Sequence, residues 1–488
     1  MSYNQVRVRR LNQAPIHRAG DYVLLWMQAA RRLESSHALD YAARCARELG
    51  VPLVAYEGLR LDYPWASRRI SSFIVEGMRD NANEARALPL HYWPFVERSP
   101  QEGRGLLRRV AARACLVVTD DFPCFIVPEQ TAAFASIDRP VYAVDGNSVV
   151  PLAALGEAPF AANHLRRRIH KAFREAWAHR SSGRAALDGL PVRAVEPPFE
   201  LTSVADPEAL ISDLPIDGTV GPVAARPGGT SAARRTLEEF VRVGLPIYAD
   251  ERSIPAPPHQ MHGSGLSPYL HFGHLSVEDV VAAVFTAAES GGRQLTFDEG
   301  SLAKRAGFFS KDPNVDGFLD EAITWRDVGY VWHWKRRADT RSLATALPKW
   351  AKDTLDAHAG DRRSHTYSLE EWESASTHDP LWNAAQRELV HTGSIHNYLR
   401  MLWGKKVLEW SANPEEAYAT LVHLNNKYAL DGRNPNSYTG MLWCFGLFDR
   451  PWAPERPVFG SVRFMSSDST AKKFKLQPYL SWVASLGR

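Results

Sequence analysis

The stretch WNAAQRELVHTGSIHNYLRMLWGKKVLEW, residues 382–410, sets three tryptophans, two histidines and a central arginine in sequence that otherwise reads as helix. From His396 onward, His396, Arg400, Trp403, Val407 and Trp410 follow at steps of four, three, four and three, which puts all five on one helical face. Indole rings beside a guanidinium are not an ordinary apolar stripe. If Arg400 is buried it needs an anion, since an unpaired buried charge costs on the order of several kcal/mol. Either a carboxylate satisfies it within a packed core, or the face lines a cavity for a planar, anionic, aromatic ligand. Asp431, opening the loop DGRNPNSY, is the nearest candidate partner in sequence. Around it, LNNKYALDGRNPNSYTG supplies Asn425, Asn426, Asn434 and Asn436, short polar groups that hydrogen-bond a heterocycle edge or cap helices.

Three other stretches carry chemistry. GSGLSPYLHFGHLS (263–276) places Ser267 before a helix opening at Pro268, where free backbone N–H groups bind phosphate or the serine is simply a cap. FLDEAITWRDVGYVWHW (318–334) sets Glu321 and Trp325 four apart on one face, either a surface pair or a carboxylate and an indole offered together to a base. The tail interleaves Arg450, Arg456, Arg463, Lys472, Lys473 and Lys475 with Trp452, Phe459, Phe464 and Phe474. Cations for phosphates and rings for bases are what a nucleic-acid surface needs, although charge runs are often only solvated faces.

The elements that must position these residues divide the chain. Its 488 residues are 45% hydrophobic and 23% charged, the balance of a globular protein with two or three domains. A net charge of +3 is too small to announce nucleic acid, so any electrostatic argument must be local. Cys45, Cys115, Cys124 and Cys444 are too scattered for a metal or cluster site and read as reduced core residues; no metal is expected. MSYNQVRVRR lacks a following apolar run and no membrane span is found, which predicts a cytoplasmic protein. Apolar runs at 21–28, 51–57, 88–95, 114–120 and 140–145 alternate with helical stretches, predicting an α/β domain with a doubly wound parallel sheet over 1–150. No GxGxxG follows the first strand, so no nicotinamide cofactor is inferred. Residues 151–235, with the passage DLPIDGTVGPVAARPGGTSAARR, read as an interdomain linker, and 236–488 as an all-α domain.

Taken together, LSPYLHFG, THDPLWNAAQ, RMLWGKKVLEW, LDGRNPNSY and DRPWAPERPVFGSVRFM resemble the class II cyclobutane pyrimidine dimer photolyases of the photolyase/cryptochrome family. The likeness extends to YPWASRRISSFIVEGM and VYAVDGNSVVP and so spans nearly the whole chain. It implies a light-driven carbon–carbon lyase, a monomer acting on damaged DNA, with FAD held in the helical domain. Room is left for an antenna chromophore of deazaflavin or folate type. By this resemblance Tyr248, Arg252, Leu266 and Ser267 contact the cofactor's phosphates and ribityl chain, Arg400 and Asp431 form an ion pair against the isoalloxazine, and Asn425 lies near its N5. Trp382, Trp403 and Trp410 form an electron-transfer chain. On the substrate side Glu321 hydrogen-bonds the flipped lesion, Trp325 and Trp443 stack on its bases beside Met401, Arg450 enters the gap in the duplex and Arg463 contacts DNA. The competing reading is a cryptochrome-like flavin photoreceptor that repairs nothing.

Overall fold

The computed structural model describes residues 3–258, 263–336 and 342–486. They form two compact units, one of Met1–Gly156, Arg167–Arg242 and Ser264–Asp312, the other of Glu157–Arg166, Val243–Gly263 and Pro313–Arg488.

In the first unit, β1 (Val8–Arg10), β2 (Tyr22–Met27), β3 (Leu53–Leu59), β4 (His91–Val96), β5 (Ala114–Asp120) and β6 (Val141–Val144) form one sheet in the order β1-β6-β5-β2-β3-β4. β1 is antiparallel to β6 and all other neighbours are parallel. Every residue of β2 and β5 is buried, as in strands covered on both faces. Val23, Leu25, Leu53, Ala55 and Val118 gather on one face with the His37–Leu49 helix, and Leu24, Tyr56, Trp93 and Val117 on the other. All five expected strands are present; β1 is additional. At the carboxyl ends of β2 and β5, where the strand order reverses, the Asp120 carboxylate accepts the N–H groups of Gln28, Ala29 and Ala30 at 2.9, 2.8 and 3.1 Å. The backbone donors at this crevice, the usual ligand position in such sheets, thus end on a side chain.

The compact units do not follow the expected boundaries at 150 and 235. Most of the passage expected to link domains is tied to the first unit: Arg68 and Arg69 N–H donate to the carbonyls of Asp217 and Val220 at 2.9 and 3.0 Å. The Val277–Ser290 helix, expected with the helical domain, belongs there too, because its buried Glu278 meets His37 Nε2 and the Ser181 N–H, both at 2.9 Å. Buried polar pairing, not helical content, assigns these segments.

The second unit is helical. Asp379 caps the Pro380–Thr392 helix through the N–H groups of Leu381 and Trp382, and Gly393, at φ 67, ends it. Asn413 caps Pro414–Tyr428 and Asn434 caps Pro435–Cys444. The Asn397–Trp410 helix packs against all three. The Arg326–Lys335 helix crosses Pro435–Cys444 at Gly329, where a Cβ would overlap Asn436 and Thr439. Among the described residues no helix is long and apolar enough to cross a membrane, and no group of three or more His, Cys, Asp or Glu is placed to hold a metal. All four cysteines are buried free thiols.

Candidate functional site

Arg400, on the Asn397–Trp410 helix, reaches Asp431 Oδ2 with its two terminal nitrogens at 3.4 and 3.5 Å. Asp431 is buried, whereas the Arg400 side chain is 31% exposed, so part of the guanidinium remains open. The loop is built to hold that carboxylate. Ser437 Oγ donates to the Asp431 carbonyl at 2.7 Å, and Arg433 takes the left-handed region at φ 64, costing on the order of 1–3 kcal/mol for a non-glycine residue. Asn426 braces it, accepting the Arg433 N–H on Oδ1 at 3.1 Å and its guanidinium on the carbonyl at 3.2 Å. Of the asparagines, then, Asn434 is a cap and Asn426 a loop brace. Buried Asn425 donates to Asn426 Oδ1 at 3.2 Å. Met401 follows Arg400, half-buried.

His396 precedes the helix, its N–H donating to Glu388 Oε2 at 3.3 Å. Burial pushes its imidazole down to about 4, against a hydrogen bond to the Arg252 backbone and aided by the Arg400 charge, so it is neutral at pH 7. Its Nδ1 is buried without a hydrogen-bond partner among the described residues.

The expected stripe of indoles is divided between several contacts. Trp403 Nε1 donates to Gln386 Oε1 at 2.9 Å, and Trp382 Nε1 to the Trp403 carbonyl at 3.1 Å. Trp382 and Trp410 are bridged by Trp372, which sequence reasoning missed: its ring centroid lies 4.8 Å from Trp382 and 6.2 Å from Trp410, 13° from parallel with the latter. Trp410 continues to Tyr367 at 5.9 Å and to exposed His378 at 4.7 Å. Trp372 belongs to SLEEWE, whose Ser368 and Glu371 form a capping box. That signal marks the short helix; nothing in it marks the burial.

On another side, Glu321 and Trp325 lie on a π-helical turn, Asp320–Trp325, of the kind often found at functional sites. Arg166, also not anticipated, fixes this turn with a buried bidentate bond to Asp320 at 2.7 and 2.9 Å, its guanidinium 5.8 Å from the Trp325 ring. Trp325 and Trp443 are brought together, one ring stacked on the other. Glu321 is paired with Arg252, whose guanidinium also lies 5.5 Å from the Tyr248 ring. Burial, with the Glu321 charge adding, pushes the Tyr248 phenol up to about 12. Leu266, buried, and Ser267, exposed, belong to the first unit, at the start of the short Ser267–His271 helix.

The tail presents cations over rings. Arg450 and Arg463 lie 5.2 and 4.9 Å from the exposed Trp452 ring, Arg456 4.7 Å from Phe464, and Lys473 4.5 Å from Tyr398.

No family model matches the chain. It is 34% identical over 482 residues to a deoxyribodipyrimidine photo-lyase of Methanothermobacter thermautotrophicus, with 98% of each chain covered. The chain belongs to the deoxyribodipyrimidine photo-lyase family. A photo-lyase of Oryza sativa subsp. japonica is likewise 34% identical over 486 residues, covering 96% of this chain and 88% of that one. Among solved structures, a class III photolyase from Agrobacterium tumefaciens superposes with a TM-score of 0.60 at 16% identity, over 96% of this chain and 86% of its own. A Synechocystis cryptochrome gives 0.65 at 16% identity, over 94% and 88%. The fold is that of photolyases and cryptochromes, an α/β sheet unit and a helical one.

The photolyase family implies a flavin, and the residues here fit one. An open guanidinium face beside a buried carboxylate suits a planar ring that carries negative charge when reduced. Two buried polar atoms nearby in the fold, His396 Nδ1 and Gln386 Nε2, lack partners within the described chain.

Proposed function

We propose that this chain is a class II photolyase that splits cyclobutane pyrimidine dimers in DNA by light, using FAD bound in the helical unit. The observation that carries the reading is that one unit holds an open arginine–aspartate pair, a buried indole array and a separate stacked indole pair beside a carboxylate. A dark flavoenzyme needs neither set of tryptophans.

When bound, reduced and excited, FAD supplies the electron that opens the cyclobutane ring and takes it back. Arg400 and Asp431 orient the isoalloxazine, and Asn425 offers its amide to the ring edge. Tyr248 and Arg252, which lie in the same unit, serve the phosphates and ribityl chain. Glu321 accepts hydrogen bonds from the amide edge of the flipped bases while Trp325 and Trp443 stack on them, with Met401 alongside. Extruding a dimer costs less than the few kcal/mol of flipping an intact base, because it is already poorly stacked. Arg450 fills the gap in the duplex and Arg463 holds backbone phosphate. Trp382, Trp403 and Trp410, joined by Trp372, carry electrons inward when the cofactor is oxidised.

Chemically reduced protein, illuminated with an oligonucleotide carrying one defined thymine dimer, should restore the two thymines; dark controls should not. A bound flavin with no loss of dimer under light would overturn repair and favour the photoreceptor reading, which the cryptochrome fold neighbour keeps in view. The absorption spectrum of the same preparation tests for an antenna chromophore in the first unit.

A further inference from the structure

We propose that Gln386 keeps the indole proton on Trp403 when that residue gives up an electron. The inference rests on the reading of the chain as a flavoprotein with a tryptophan relay, and it concerns how the relay is kept conducting.

An indole N–H donates and cannot accept. The bond from Trp403 Nε1 to Gln386 Oε1, at 2.9 Å, therefore fixes which end of the amide faces the ring. Nε2 must point away, and it is buried with no hydrogen-bond partner among the described residues. Gln386 is fully buried and Trp403 is 3% exposed, so the structure pairs the two in a dry environment. Gln386 also stands one turn after Trp382 on the Pro380–Thr392 helix, and the Trp382 N–H ends on the Trp403 carbonyl at 3.1 Å. Two relay indoles thus donate to amide oxygens, one from a side chain and one from the backbone.

That choice of acceptor has a chemical consequence. An indole that loses an electron becomes a radical cation, and its N–H becomes far more acidic. A carboxylate, a neutral imidazole or bulk water at the same place would take the proton and leave a neutral radical, a weaker oxidant that holds the vacancy in place. An amide oxygen accepts the hydrogen bond but is too weak a base to take the proton. Trp403 therefore loses one electron to photo-excited oxidised flavin, retains its N–H on Gln386, and is refilled by one electron from Trp382. One electron moves at each step and no proton does. Gln386 is a positioning residue: it acts through Trp403.

The test compares the parent with Gln386→Glu and Gln386→Leu in the full FAD-containing protein, by transient absorption after a flash on oxidised flavin. The parent should show the protonated tryptophan radical cation, with early kinetics unchanged in D2O. Gln386→Glu should convert it to the neutral radical at least tenfold faster, with a deuterium isotope effect. A second readout needs no flavin: in protein carrying 15N-tryptophan, the Trp403 indole N–H, assigned by its loss in Trp403→Phe, should be protected from exchange. It should stay so in Gln386→Glu and exchange at least tenfold faster in Gln386→Leu. Equal deprotonation rates in parent and Gln386→Glu, with the N–H still protected in both, would overturn the role of Gln386 alone. Absence of any flash-induced tryptophan radical in the flavin-loaded parent would overturn the relay itself, and this inference with it.

Discussion

Trp325 and Trp443 stack on one another, with ring centroids 5.6 Å apart and planes 27° from parallel. Trp325 ends the π-helical turn that leads into the Arg326–Lys335 helix, and Trp443 lies on Pro435–Cys444, the helix that crosses it closely at Gly329. Base–aromatic stacking is worth about 1–3 kcal/mol per base, so Trp443→Ala should weaken binding of a dimer-containing duplex roughly 5- to 150-fold. Fluorescence anisotropy with damaged and undamaged duplexes checks this. An equal loss on both would make Trp443 part of a general DNA surface.

Trp372 supplies the ring contacts between Trp382 and Trp410. Phenylalanine there preserves the packing but is much harder to oxidise. Trp372→Phe should slow light-driven reduction of oxidised flavin by an order of magnitude or more while repair by chemically reduced protein stays near the parent's. Flavin bleaching under steady blue light reads the first, and dimer loss the second. Unchanged bleaching would take Trp372 out of the path.

Arg252 and Glu321 are paired and each is roughly one-third exposed. Solvent screening at that exposure limits the pair to about 0.2–1 kcal/mol of stability, which a double-mutant cycle of Arg252→Ala and Glu321→Ala in chemical denaturation should return. The functional effects should separate instead: Glu321→Ala lowers repair with flavin content retained, whereas Arg252→Ala lowers flavin retention. Loss of flavin from both variants alike would show that the pair serves only the cofactor.

Burial pushes the imidazoles of His333 and His396 down to about 4. Below the unfolded value near 6.5 the unfolded chain binds protons that these sites refuse, so stability falls as pH drops from about 6.5 to about 4 and the contribution then levels off. Above 6.5 they contribute no slope. Removing His333 as His333→Phe should abolish about 2 kcal/mol of the stability lost between pH 7 and pH 5, measured by denaturant titration at both. An unchanged pH slope would mean that His333 titrates normally in the folded protein.

Much of this was legible in the residues themselves, for physical reasons. A strand covered on both faces must be apolar throughout, so ACLVVTD and DYVLLWMQ announced the inner sheet. β1 did not announce itself, because a three-residue edge strand tolerates the charges of VRR. The Arg400–Asp431 pair followed from the rule that a guanidinium in an apolar stripe must find an anion, and Asp431 stands in a loop with Asn425, Asn426, Asn434 and Asn436 close by in sequence. Trp372 was hidden among acids in SLEEWESAS, since only tertiary packing turns that indole inward. Arg166 was hidden differently: within NHLRRRIHK no local signal says which of three consecutive arginines meets a buried carboxylate. The unit boundaries failed to show because helical periodicity reports an element's type and not the partner that buries it.

The turn Asp320–Trp325 holds its residues at a wider winding than a regular helix. Wound as a regular helix at the same length, these six residues would rotate everything after them by roughly 100° about the helix axis. Trp325 would swing off the face it shares with Trp443, and Gly329 would no longer meet Asn436 at the crossing. The winding of this six-residue segment therefore sets the phase of the helix that follows, and the buried Arg166–Asp320 bond at its start is what a change tightening the turn would have to break.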